Sequence, residues 1–97
     1  MLDLKAIQKK YQTSETTVDV KAWGGEVKIR QLTVSESAEV AHTSARGEGV
    51  NAMVKNVAFA LVEPSITFDE LSKLPGDSFE GIKEINDALS ELNEPKK

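Results

Sequence analysis

The chain has no cysteine, a single histidine and three prolines among its 97 residues. Without Cys there is neither a disulfide framework nor a thiolate metal site, so zinc is not expected and a reducing compartment suits the chain. With His42 as the lone imidazole, any nucleophilic triad has to be built on it, with a serine and a distant acid. Long apolar runs are missing too. The longest, Val57 to Val62, falls far short of the ~20 residues of a membrane span, and Met1-Leu2-Asp3-Leu4-Lys5 lacks a signal-peptide apolar core. A cytosolic protein without membrane contact is expected. Positive charge is also in deficit: twelve Lys and Arg against sixteen Asp and Glu leave a net charge of -4. Gripping phosphate backbones needs clustered Lys and Arg, so nucleic acid is a poor candidate partner.

What the chain does have is marked helix starts. In a capping box the N-cap side chain accepts a hydrogen bond from the N3 backbone N–H, while an N3 Glu reaches back to the N-cap N–H. Thr33-Val34-Ser35-Glu36, Thr67-Phe68-Asp69-Glu70 and Asp77-Ser78-Phe79-Glu80 all fit, and Pro75-Gly76 closes the second helix. The pattern predicts helices over about 34–46, 50–63, 68–74 and 78–93. Val50, Met53, Val54, Val57, Ala58 and Leu61 fall at helical spacing, and Phe59, Ala60 and Val62 carry the apolar surface almost round that helix. It should be central, and should stop at Pro64. The last helix sets Phe79, Ile82, Ile85, Ala88, Leu89 and Leu92 against a polar side of Glu80, Lys83, Glu84, Asp87 and Glu91, which makes it a cover. The helix after Thr33 has only a weak stripe of Val34, Ala38 and Ala41. The glycines of Arg46-Gly47-Glu48-Gly49 then interrupt the chain, one of them suited to a helix C-cap.

From Thr17 the period is two. Val18, Val20 and Ala22 share one face, Val27 and Ile29 another, and Gly24-Gly25 can supply the positive φ angles of a two-residue turn. Centred there, the turn pairs Ala22 with Val27, Val20 with Ile29 and Asp19 with Arg30. An isolated hairpin is marginal in water, so its Val and Ile face must pack on the helices or on another subunit. At the N-terminus, Leu2, Leu4, Ala6 and Ile7 with Lys5, Lys9 and Lys10 predict a short amphipathic helix, followed by a polar linker, Gln12 to Thr16. The expected fold is therefore α+β and mainly α-helical, with four to five helices and one N-terminal antiparallel β-hairpin. Residues 1–16 form a short N-terminal helix and linker, 17–93 a single globular domain with its hairpin at 17–32, and 94–97 a flexible tail. A domain of this size buries roughly 60–70% of the surface its unfolded chain exposes.

Little in the chain points to chemistry. Gly76-Asp77-Ser78 has the outline of a nucleophile turn, but a helix stop and an N-cap use the same residues. Gly47-Glu48-Gly49 and Gly24-Gly25 lack the Lys-Ser/Thr pair of a phosphate loop. Asp69 with Glu70, and Glu84 with Asp87, read as solvated helix faces rather than a Ca²⁺ loop. No catalytic residue, cofactor or metal is expected. Surface recognition remains. Trp23 beside the hairpin turn is either packed over the sheet or displayed as an interface anchor, and Phe59 and Val62, off the main stripe of the central helix, either meet the hairpin or form a patch that a partner covers. Trp23, Phe59 and Val62 are the candidate contacts.

A hairpin with Trp23-Gly24-Gly25, then Val27-Lys28-Ile29-Arg30-Gln31-Leu32-Thr33 leading into a helix, then Asn56 to Pro64, then Phe68-Asp69-Glu70-Leu71 and a final helix ending near Leu92, resembles the tail assembly chaperones of long-tailed bacteriophages. The likeness covers most of 17–93. It implies a small protein of the host cytoplasm that binds the tape measure protein, keeps its long helical segments soluble, helps recruit the tail tube protein, self-associates, and leaves before the virion matures. It also implies a longer second product made by minus-one slippage. Pro95-Lys96-Lys97 spelled CCA-AAA-AAG would contain a slippery heptamer, which the gene sequence would reveal. A structural tail or connector subunit is the alternative. A helix-turn-helix regulator built on 34–46 and 50–62, or a small enzyme around His42, stands further off.

Overall fold

In the computed structural model, which describes residues 2–10 and 15–93, β1 (Glu15–Val20) and β2 (Gly25–Arg30) form the antiparallel hairpin that the alternating valines require. Val18 lies opposite Val27 and Thr16 opposite Ile29, so each β2 residue meets a β1 residue four positions earlier than a turn on Gly24-Gly25 would place there. The cause is the connection. Lys21–Trp23 wind into a 3₁₀ turn, and only Gly24 takes a positive φ, at 73°, its N–H donating to the carbonyls of Val20 and Lys21. An even offset preserves the pleat, so Val18, Val20, Val27 and Ile29 still share a face. Ala22 leaves the sheet, and Asp19 faces Glu26 rather than Arg30.

A third strand, β3 (Leu61–Glu63), pairs antiparallel with the far edge of β2, giving the order β1-β2-β3. The apolar helix expected to run to Pro64 therefore ends at Ala60. Proline disfavours helical geometry in the residue before it. In extended form, this segment covers the second edge of β2 and sends Leu61 into the core.

Among the described residues, five helices complete the fold: α1 (Leu4–Lys10), α2 (Val34–Ala45), α3 (Gly49–Ala60), α4 (Phe68–Ser72) and α5 (Phe79–Asn93). The capping boxes of Thr33 with Glu36 and Thr67 with Glu70 are complete, and Gly47 takes a φ of 86° just past α2. The third expected box is not made. Asp77 sits inside a second 3₁₀ turn, Gly76–Ser78, and the Ser78 hydroxyl donates to the Pro75 carbonyl at 2.6 Å. The linker residues 12–14 and the tail 94–97 lie outside the described residues; Glu15 and Thr16, expected in the linker, belong to β1.

One core joins the inner face of the sheet (Val20, Val27, Ile29, Leu61) to α3 (Val54, Val57, Ala60), α4 (Leu71) and α5 (Ile82, Ile85, Leu89). α5 buries the stripe its periodicity predicts. α2 does the opposite. Val34 is 89% exposed, Ala38 and Ala41 are exposed, and Glu36, Val40 and Thr43 turn inward instead. The rotation follows from polar anchors: Arg30 grips Glu36 at the first turn, and buried Thr43 donates to the Glu39 carbonyl at 3.0 Å while accepting from Lys55 Nζ at 3.2 Å. Among the described residues, no helix is long and apolar enough to cross a membrane.

Candidate partner-binding surface

The hairpin tip is docked onto the start of α5. The Glu84 carboxylate accepts the backbone N–H groups of Lys21 at 3.1 Å and Ala22 at 2.9 Å, capping the 3₁₀ turn from across the fold. Trp23 Nε1 donates to the Ser78 carbonyl at 3.0 Å, and its indole lies on Gly81, where a Cβ would overlap ring atoms Nε1, Cε2 and Cδ1. Trp23 is thus half-buried, with its polar edge satisfied and one ring face held by α5.

The docked tip forms one wall of an apolar groove. Trp23, Ile66, Leu74 and Ser78 line a cavity of about 290 Å³, and a second cavity of about 210 Å³, which shares Leu74 and Ser78, continues past Val50, Val54, Phe79 and Ile82. Leu74 and Val50 are exposed large apolar residues at 41% and 63%. Lys83 Nζ stands 5.5 Å from the Phe79 ring centroid, a cation on the aromatic rim. Leu74 did not stand out in the sequence, whereas Val50 was read into the apolar stripe of the central helix and instead lies exposed at the start of α3. Gly81 and Glu84 were equally silent: one reads as a weak helix residue, the other as part of a solvated face.

Phe59 and Val62 lie elsewhere. Phe59 is half-buried and lines a cavity of about 350 Å³ with Arg30, Glu36, Leu61, Ile66 and Phe68, while Val62 is half-buried in β3. The charged element there is the bidentate pair of Arg30 Nη1 and Nη2 with Glu36 Oε1 and Oε2, at 2.8 and 2.9 Å. These bonds, and the Thr33 backbone N–H, hold the Glu36 carboxyl down to about 2 against the opposing cost of its burial, and the same contact raises the Arg30 guanidinium. Chemically the pair is a fastener between β2 and α2. His42 is exposed on α2, and among the described residues no group of three His, Asp or Glu comes together as a metal site would require. Of the three residues singled out from sequence, the fold brings only Trp23 to the Leu74 groove. No protein-family model, curated protein sequence or solved structure matches the chain.

Proposed function

We propose that the chain is a tail assembly chaperone of a long-tailed bacteriophage, one that binds the tape measure protein, keeps it soluble, helps recruit the tail tube protein, and is released in the host cytoplasm before the virion matures. The order of hairpin, apolar central helix and two short-linked helices supports this reading, being the order on which the resemblance rests. The observation that carries it furthest is the apolar groove of Trp23, Ile66, Leu74, Val50 and Phe79, open to solvent on the outside of a complete core.

Such a groove suits the apolar side of an amphipathic helix, which enters as anchors spaced i, i+3 and i+4. The client helix gains burial without the chaperone unfolding, because the groove walls are already held by the Glu84 cap and the Trp23 seat. Asp77 and Glu80, next in the chain to Ser78 and Phe79, are exposed, and Glu80 pairs with Lys83 at 3.6 Å, so the charge beside the groove is mixed. A longer, frameshifted form would carry the same groove and could link it to the tail tube protein.

Co-expression with a phage tape measure protein tests the reading through the solubility and co-purification of the client. The intact chain is expected to do both, and Leu74→Glu to lose both while staying folded, since Leu74 is already 41% exposed. A client that neither co-purifies nor gains solubility, together with this chain in finished tails, would identify a structural subunit instead.

A further inference from the structure

We infer that the outer edge of β1 takes up an extended segment of a partner protein as a fourth strand of the sheet, a segment in which apolar residues alternate with Lys or Arg. The two edges of the sheet are built differently. β3 is three residues long, its register with β2 is irregular, and Pro64 follows it directly, all features that discourage further pairing. β1 runs for six residues in unbroken register with β2, contains neither Pro nor Lys, and among the described residues has no strand on its other side. Along that side its alternate N–H and C=O groups have no ladder partner.

A groove runs beside that edge. Thr16, Thr17 and Val18 line it together, and because successive strand residues point to opposite faces, a cavity touching all three lies along the strand edge rather than on one face. Ala88, Glu91 and Leu92, spaced i, i+3 and i+4 on α5, form the opposite wall of this space of about 420 Å³. Thr16 and Val18 point to the core side of the sheet with Val20, and Val18, Ala88 and Leu92 are only half-buried. A strand added to β1 would bury its inward residues on Val18, Ala88 and Leu92, extending a core face that three strands leave short.

Charge selects the occupant. On the outer face β1 carries Glu15 and Asp19, and Asp19 stands directly opposite Glu26 of β2, a like-charge pair. Glu15 is paired with Lys28 at 3.4 Å, whereas neither Asp19 nor Glu26 forms an ion pair with a described residue. The groove wall adds Glu91. A second copy does not fit this edge: its own β1 would bring Glu15 and Asp19 again to the same face, and its β3 would bring Glu63, which lies opposite Lys28 and so on that face too. A strand reading basic, apolar, any residue, apolar, basic instead sets its cations opposite Asp19 and Glu15 and its apolar side chains opposite Val18 and Thr16. Main-chain bonds to β1 give such a segment its affinity, and the alternation gives it selectivity. The inference goes beyond the chaperone reading and concerns a different surface, so either can fail alone.

The test is a titration of the isotope-labelled chain, followed through its amide resonances, with the peptide acetyl-Gly-Lys-Val-Thr-Val-Lys-Gly-amide. Saturable shifts are expected at Thr16, Thr17 and Val18 and at Ala88 and Leu92, with Leu74 unmoved. Only alternate amides of an added edge strand bond to its neighbour, so N-methylation of one alternate set in the peptide should abolish the shifts while methylation of the other set leaves them. Asp19→Lys, which also relieves the contact with Glu26 and so spares the hairpin, should weaken this peptide about threefold and strengthen the version with Glu in place of Lys. No saturable shift at millimolar peptide overturns the inference, as do shifts that survive both methylated forms or that Asp19→Lys leaves unchanged.

Discussion

At the scale of the residue, the clearest constraint is Gly81. Replacing a helical glycine by alanine ordinarily favours the helix by about 1 kcal/mol. Here the new Cβ would occupy the seat of the Trp23 indole, so the ring must leave and the hairpin tip loses its hold on α5. Gly81→Ala is expected to destabilise the protein by about 1–3 kcal/mol. In a Trp23→Ala background the same change should become neutral or stabilising, a reversal of sign that a urea double-mutant cycle reads directly. Additive costs would show that Trp23 does not need this seat. Glu36 gives a second, pH-dependent case. Its folded pKa of about 2 lies below the ordinary 4.5, so its contribution is complete above about pH 4.5 and disappears as pH falls towards 2. The pair is about a quarter exposed, and solvent screening holds that contribution to about 1–2 kcal/mol. Glu36→Gln keeps an acceptor for the Thr33 N–H but not the charge. It should be less stable than the parent at pH 7 by that amount and converge with it near pH 2; parallel curves across that range would remove the ion pair from the account.

At the scale of the element, the two complete capping boxes and the unmade one differ in a measurable way. Thr33 accepts from the Glu36 N–H and Glu36 accepts in return, so Thr33→Ala should cost about 1 kcal/mol. Asp77, inside the 3₁₀ turn, caps nothing, and Asp77→Ala should stay within about 0.5 kcal/mol of the parent by thermal melting. An equal loss at both would mean that Asp77 caps α5 in solution. The contrast marks what was legible in the sequence. The α5 stripe, the Val18/Val20 and Val27/Ile29 faces and two helix starts could be read because period and cap chemistry are local. The same polar-x-x-Glu spelling failed at Asp77 because Pro75-Gly76 feeds the chain into a tighter turn first. The hairpin register was misplaced because two glycines do not reveal which takes the positive φ, and Glu84, more than sixty residues away, stabilises the longer connection. α2 was read on its wrong face because its rotation is set by Arg30 and Lys55, which lie outside the helix. The groove at Leu74 was invisible for a related reason: exposure is what remains after every other element has packed.

At the scale of the whole molecule, stability is unevenly distributed, and the core says where. Its buried members come from β1, β2, α3, β3, α4 and α5, and none from α1 or α2. α1 leaves its apolar residues in solvent, so in dilute protein its amides should exchange at nearly unprotected rates. α2 is intermediate, because it is held by Val40 and by the polar contacts of Glu36, Thr43 and Lys55 rather than by a broad apolar face. α3, α5 and β2 enclose Val57, Ile85, Leu89 and Ile29, all fully buried, and their amides should open only with global unfolding. Native-state hydrogen exchange should therefore rank α1 below α2 and α2 below α3 and α5. Thr43→Val removes the acceptor for Lys55 Nζ at nearly constant volume, and is expected to lower protection in α2 alone. If protection falls equally in α3, the two helices open as one unit and α2 belongs to the core despite its polar fastening; if it falls only in α2, the helix is a separable element on the face where Val34, Ala38 and Ala41 meet solvent.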